Sequence, residues 1–87
     1  MDKYEKLRTE LNNAFKKFGV YIMGSDDLIN CVDGKRNRSI VFAIKVGRNK
    51  WNVYSHEDDG DILNVATCKG WDRLQFHLDV LVKSFVA

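Results

Sequence analysis

Two cysteines and two histidines are the residues of this chain best suited to nucleophilic chemistry. They are Cys31, Cys68, His56 and His77. No serine lies in the G-x-S-x-G turn of hydrolases, and there is no glycine-rich phosphate-binding loop. His56 precedes Glu57, but neighbours on a strand point to opposite faces of the sheet. From these residues we expect no catalytic group and no cofactor, and we predict that the protein is not an enzyme.

The same four residues and an acidic stretch are the candidates for a metal site. The cysteines and histidines contain no Cys-x₂-Cys clip of the kind that holds zinc. The stretch at 57–61, Glu-Asp-Asp-Gly-Asp, lacks the ligand spacing and distal Glu of a calcium-binding EF-hand loop. We expect no metal site, and we interpret the acidic stretch as a solvated turn.

Length and composition limit the possible classes of protein. The chain has 87 residues, of which 45% are hydrophobic and 30% charged, with a net charge of +2. These values predict a single globular domain over 1–87, neither strongly basic nor strongly acidic. No apolar run approaches the roughly 18 residues of a membrane span, and charges begin at Asp2. Two cysteines are too few for a disulfide framework, so we expect a cytoplasmic protein with reduced thiols.

The first segment with helical periodicity covers residues 3–18. Asp2 and Glu5 have the spacing of a capping box, and Gly19 is a suitable C-terminal stop. One stripe of the helix carries its apolar residues, Tyr4, Leu7, Leu11, Ala14, Phe15 and Phe18. The stripe spans barely two heptads, which favours a core-facing helix over a coiled coil.

A second helix is predicted over residues 72–86. Asp72 and Gln75 have capping-box spacing, and Trp71 and Phe76 have the spacing of a hydrophobic staple. Its buried stripe would consist of Leu74, Leu78, Leu81, Val82 and Phe85.

The region between the helices has the pattern of short strands separated by turns. We expect strands at 20–23, 28–32, 40–46, 51–56 and 62–68, although 24–32 could instead open one helical turn. Short connections favour an antiparallel meander, and the helices are the only elements able to cover one of its faces. The predicted fold is α+β: one meander of four to five strands, with an N-terminal and a C-terminal helix on the same face.

This order of elements resembles that of double-stranded-RNA-binding domains, which run helix, three strands, helix. The likeness is limited to topology. That family has a lysine-rich motif at the start of its second helix, where this chain has Lys69-Gly70-Trp71-Asp72-Arg73, with an acid inside it. The extra strand is a second departure.

The strand order also predicts the state of the cysteines. In a meander, Cys31 and Cys68 lie on strands that are three spacings apart, about 14 Å, which exceeds the reach of a disulfide. We expect two free thiols.

Successive turns of a meander lie at opposite ends of the sheet. This predicts which charged residues lie at each end. The basic turn at 35–38 and the acidic stretch at 57–61 should share one end. The other end should collect Arg48, Lys50, Lys69, Arg73, Trp51 and Trp71, together with Asp26 and Asp27. Such a cluster could bind an acidic protein surface or phosphates. Alternatively, Trp51 belongs to the core, Trp71 serves as the staple and the cations are solvated.

Two apolar surfaces are further candidates for a partner. The uncovered sheet face is expected to carry Val41, Ala43 and Tyr54, with Leu63 or Ala66 as further candidates and Lys45, Asn52 and His56 between them. On the second helix, Phe76 and Val80 should point away from the buried stripe. We expect a partner, or a second copy in a weak homodimer, to contact this helix surface.

These features predict a non-catalytic binding module that docks on a larger protein or complex and inhibits or modulates it stoichiometrically. Small chains of this type are common among phage-borne inhibitors of host systems, including anti-CRISPR proteins, which is one possibility. The alternative function is nucleic-acid binding through the Arg48, Lys50 and Trp51 end, which the net charge of +2 disfavours.

Overall fold

The computed structural model describes residues 2–57 and 59–86 and has the predicted architecture. The elements run in the order α1 (Lys3–Phe15), a 3₁₀ turn (Lys16–Phe18), β1 (Val20–Gly24), β2 (Leu28–Asp33), β3 (Arg38–Gly47), β4 (Lys50–His56), β5 (Ile62–Lys69) and α2 (Trp71–Val86). The five strands form one antiparallel sheet in sequence order, which confirms the α+β meander with its two flanking helices.

Helix α1 begins and ends as its sequence predicts. A side-chain oxygen of Asp2 accepts a hydrogen bond from the backbone N–H of Glu5 at 2.8 Å, so Asp2 is the N-cap. The last turn tightens into a 3₁₀ turn, and Gly19 ends it at φ 73°, a left-handed conformation that glycine adopts without strain. Leu7, Leu11 and Phe15 are buried, so the stripe faces the core.

The segment with two possible assignments, 24–32, consists of the last residue of β1, a turn at 25–27 and most of strand β2. In the register of β2 with β3, Leu28 pairs with Ile44 and Ile29 pairs with Ala43. The register of β2 with β3 shifts between Cys31 and Val32, which leaves Ile40 as the extra residue on β3, and Ile40 and Val41 are both buried. This bulge changes which face the following residues point to.

Helix α2 begins one residue earlier than predicted, and Asp72 does not have the capping position predicted for it. The backbone N–H of Leu74 donates to the carbonyl of Gly70 at 3.1 Å, so Gly70 precedes the helix and Asp72 lies within its first turn. Asp72 is therefore not the N-cap. Because Trp71 is the first helical residue, it does not hold the position of a staple; its ring meets the edge of Trp51, with 4.7 Å between centroids.

Both helices pack on one face of the sheet. Helix α1 contacts β1 and α2, and α2 contacts β3, β4 and β5. Trp51 is the largest fully buried side chain of the core between them. Neither helix in the described part of the chain is long and apolar enough to span a membrane.

The two cysteines are buried and free, as the strand order predicts. Cys31 lies on β2 and Cys68 on β5, with β3 and β4 between these strands. Burial raises the pKa of the Cys31 thiol to about 12 and raises the pKa of Cys68 in the same direction. Both thiols are thus protonated and weakly reactive at neutral pH.

Candidate functional site

In the part of the chain that the structure describes, no element covers the sheet face opposite the helices, and this face carries large apolar side chains. Val20 and Ile22 of β1 are buried, so Tyr21 and Met23 between and after them point the other way. The same alternation, carried across the sheet by the strand register, assigns seven residues to this face: Tyr21, Met23, Leu28, Phe42, Ile44, Tyr54 and Ile62. We call this surface the open face.

An aromatic cluster lies on the open face. Phe42 and Tyr54 are paired in register on β3 and β4, and their rings stack with 5.0 Å between centroids and an angle of 16°. His56, two residues along β4, tilts against Phe42 at 5.4 Å. Cross-strand pairing of this kind holds the rings in one orientation before any partner arrives.

Side-chain hydrogen bonds connect the polar residues of the open face. Thr67 Oγ1 donates to the side-chain oxygen of Asn52 at 2.7 Å, and Asn52 Nδ2 lies 3.4 Å from the Tyr54 hydroxyl. Ser39 Oγ donates to the side-chain oxygen of Asn30. These bonds reduce the rotamer freedom that a partner would otherwise have to remove on binding.

The structure corrects two residues expected on this face. Val41 and Ala43 are fully buried on the side that the helices cover. The β2–β3 bulge is the reason. It turns the consecutive side chains of Ile40 and Val41 inward together, whereas strict alternation would place them on opposite faces. Phe42 and Ile44 occupy the face instead. The sequence alternation assigns Phe42 and Ile44 to the open face only when the position of the bulge is known.

The other expected residues of this face divide between the two sides. Tyr54, Asn52 and His56 do lie on the open face. Ala66 pairs with buried Val53 and packs against the core, and Leu63 pairs with Ser55 on the helix-covered side, where its side chain is half exposed. Lys45 also points to that side, with its ammonium 5.9 Å from the Trp51 ring centroid.

The structure separates the basic residues that were expected together at one end of the sheet, Arg48, Lys50, Lys69 and Arg73. Lys69 and Arg73 line a cleft of about 460 Å³ together with Lys3 and Lys6 of α1, which the sequence pattern did not bring to this end. Glu10 and Asp72 line the same cleft and offset part of the charge. Arg48 and Lys50 are exposed but are not among the residues that line it.

The two tryptophans at this end belong to the packing of the fold. Trp51 is fully buried, and its indole N–H donates to the backbone carbonyl of Asp26 at 3.1 Å. Trp71 packs its ring against it. The expectation of Trp51 as a partner-binding residue is therefore wrong, and its assignment to the core is right. Asp26 and Asp27 do lie at this end, as the meander predicts, since the backbone carbonyl of Asp27 accepts a hydrogen bond from the backbone N–H of Lys45.

The outer surface of α2 has the expected exposure. Phe76 and Val80 are 57% and 42% exposed, so both point away from the core. Phe76 also borders a groove of about 400 Å³ between the helices, whose other lining residues include Glu10, Asp72 and Asp79. This patch is smaller than the open face and is bordered by carboxylates.

The part of the chain that the structure describes contains no candidate metal site. Within 2–57 and 59–86, no three of His, Cys, Asp and Glu come together in a way that could hold a metal ion. The expected acidic turn at 57–61 includes Asp58, which lies outside the described residues. His77 lies beside Phe76, with 5.8 Å between the rings.

Comparison with known proteins identifies no relative. No family model, no curated protein and no solved structure matches the chain.

Proposed function

We propose that this chain is a protein-binding module that docks through its open face on a larger protein and inhibits or modulates it by occupying that surface. One observation supports this above the others. A five-stranded sheet has a face with seven large apolar or aromatic residues that no described element covers, and two of them, Phe42 and Tyr54, are stacked across neighbouring strands. Contiguous exposed apolar surface on a small domain is typical of a binding site.

The charges at the sheet define the chemistry of the partner. Across the five described strands there is one acidic residue, Asp33, and its side chain accepts from the backbone N–H of Lys35 in the adjoining turn. Lys50 and Lys69 lie opposite each other in register at one end. A partner surface that is apolar at its centre and bears carboxylates at its rim would complement both features.

The mode of action and compartment are part of the same proposal. A module of this size acts by blocking a surface or fixing one conformation of its target. Inhibitors carried by phages, such as anti-CRISPR proteins, work in this way and are one possible class. Two buried, reduced thiols suit the cytoplasm, where thiols stay reduced.

The experiment begins with affinity capture from the native host, with and without nuclease, followed by purification of the captured protein. Calorimetric titration then compares wild type with Ile44→Asp and Tyr54→Ala on the open face. We expect each variant to lose at least about tenfold in affinity, as for residues at the centre of an interface. Circular dichroism checks that both variants are folded.

Val80→Asp is the matched control, because Val80 is similarly exposed but lies on α2. It should bind like wild type. Loss of binding in Val80→Asp with unchanged binding in the two sheet variants would move the interface to the Phe76 and Val80 patch and overturn the proposal.

A second function, nucleic-acid binding, is favoured by the cleft that collects Lys3, Lys6, Lys69 and Arg73. Glu10 and Asp72 in the cleft, and the net charge of +2, make it the weaker candidate. We expect no gel shift with duplex DNA or RNA at about 0.15 M salt. Sub-micromolar binding that falls steeply with salt, and that Lys69→Glu with Arg73→Glu removes, would favour this function over protein binding.

A further inference from the structure

The two edge strands of the sheet, β1 and β5, differ in the side-chain hydrogen bonds that their backbones make. At the β1 edge, the backbone N–H of Ile22 donates to the Asn12 side chain at 2.7 Å, and the Tyr4 hydroxyl donates to the carbonyl of Gly24 at 3.0 Å. Ile22 and Gly24 are two residues apart, so these groups point to the same side, away from β2. Two side chains of α1 therefore occupy two of the outward backbone groups that another strand would need.

The β5 edge has no comparable protection among the described residues. β5 spans eight residues, Ile62–Lys69, and pairs only with β4. Within the part of the chain that the structure describes, no side chain hydrogen-bonds to the backbone of these eight residues. Ile62, Leu63 and Val65 are about half exposed along it. A long apolar edge of this kind is a template for pairing with another strand.

The charges flanking β5 favour a second copy of this chain as that strand. Glu57, Asp59 and Asp61 precede the strand, whereas Lys69 ends it and Arg73 follows in the first turn of α2. An antiparallel pair related by a twofold axis places the acidic end of each copy beside the basic end of the other. The complementarity occurs twice, because the twofold axis makes the contact reciprocal.

The bulge of β5 is compatible with this pairing. The register of β5 with β4 shifts at Val53 and Tyr54, which leaves Val65 as the extra residue. Asn64 and Thr67 lie on the open face because they pair with Tyr54 and Asn52. Setting Asn64 of one copy opposite Thr67 of the other keeps these faces together and brings the bulges together at the axis. In this register Lys69 lies opposite Ile62 of the other copy, and Asp61 follows one residue further along the seam.

We propose that two copies of this chain associate through their β5 edges, antiparallel and about a twofold axis, into one continuous ten-stranded sheet. The dimer joins the two open faces, and it does not depend on the proposed partner. A single strand pair buries less surface than a standard interface, so the dimer is weak and reversible, with a dissociation constant on the order of 100 µM.

Sedimentation equilibrium of the purified chain alone tests the association. Asp61→Lys and Lys69→Glu each place like charges together at both contacts, and each should weaken the dimer about fivefold or more. The double variant exchanges the charges and should restore the wild-type constant within about twofold. Lys35→Glu, at the β2–β3 turn and away from β5, matches the charge change of Lys69→Glu and should have no effect.

Hydrogen exchange locates the interface. Amides of β5 that do not bond to β4 should gain protection as the concentration rises through the dimer range, and amides of β1 should not. A monomer at all concentrations up to about 1 mM overturns the proposal. So does a dimer that protects another surface, such as α2, or a double variant that dimerises no better than the single ones. None of these results bears on binding of a heterologous partner by the open face.

Discussion

The side-chain oxygen of Asn12 on α1 accepts a hydrogen bond from the backbone N–H of Ile22 on β1 at 2.7 Å. This bond joins the first helix to the first strand, and it satisfies a backbone donor that has no partner strand on that side. One polar residue of α1 therefore serves both the stability of the β1 edge and its protection from other strands.

Replacing Asn12 by Ala should destabilise the domain by about 1–2 kcal/mol, because the Ile22 N–H, part-buried in this contact, loses its acceptor. Asn13→Ala is the matched control, since Asn13 is exposed on the same helix. It should change the free energy of unfolding by about 0.5 kcal/mol or less. Urea denaturation measures both. Equal losses for the two variants would show that the Asn12 bond contributes nothing specific.

Trp51→Phe should cost about 2–4 kcal/mol in the free energy of unfolding. The variant removes the donor to the Asp26 carbonyl and leaves a cavity where the indole was fully buried. Trp71→Phe removes the same atoms from a half-buried ring at the core boundary and should cost about 1 kcal/mol or less. Thermal unfolding followed by far-ultraviolet circular dichroism compares them. A larger loss at Trp71 would contradict the assignment of Trp51 as the central core residue.

Gly24→Ala should disrupt the turn between β1 and β2. A Cβ at this position would collide with the backbone carbonyl oxygen of Leu28, and φ is 115°. Gly60→Ala separates the two effects, because its φ is 93° but no described atom lies within 4 Å of the added carbon. We expect the Gly60 variant to lose about 1 kcal/mol from backbone strain, and the Gly24 variant to lose several times more or fail to fold. Similar melting temperatures would refute the steric argument.

The two thiols should be accessible to alkylation only after unfolding. Intact mass after alkylation of the denatured, unreduced protein should show two labels, because both cysteines are free. Native protein should label far more slowly, since Cys31 and Cys68 are buried. No label on the denatured chain would mean a disulfide and a different arrangement of strands.

Cys31 should also make the domain less stable in alkali. The pKa of its thiol is about 12 in the folded protein against 9.0 ordinarily, so the unfolded chain releases this proton first. Its stabilising contribution is therefore complete below pH 9 and is lost progressively as the pH rises from 9 to about 12. Urea denaturation from pH 8 to 10.5 should give a flatter dependence for Cys31→Ala than for wild type. Parallel curves would exclude this coupling.

Much of the fold follows from local patterns in the chain. The stripe of α1 with its Asp2 cap, the stripe of α2, and the turn residues between short apolar runs depend on nearest neighbours, so the sequence alone predicts the elements and the meander. Strand order in a meander also separates Cys31 from Cys68 without any knowledge of side-chain contacts.

The residues of the open face depend on how the strands pair in the folded protein. The β2–β3 bulge buries Ile40 and Val41 together and brings Phe42 to the surface beside Tyr54. A bulge arises from the pairing of two strands, so the alternation of one strand cannot predict it. The bonds from Asn12 and Tyr4 to β1 likewise join residues at least ten positions apart. The elements and their order follow from local periodicity, whereas the two faces and the two edges of the sheet follow from contacts between residues that are distant in the chain.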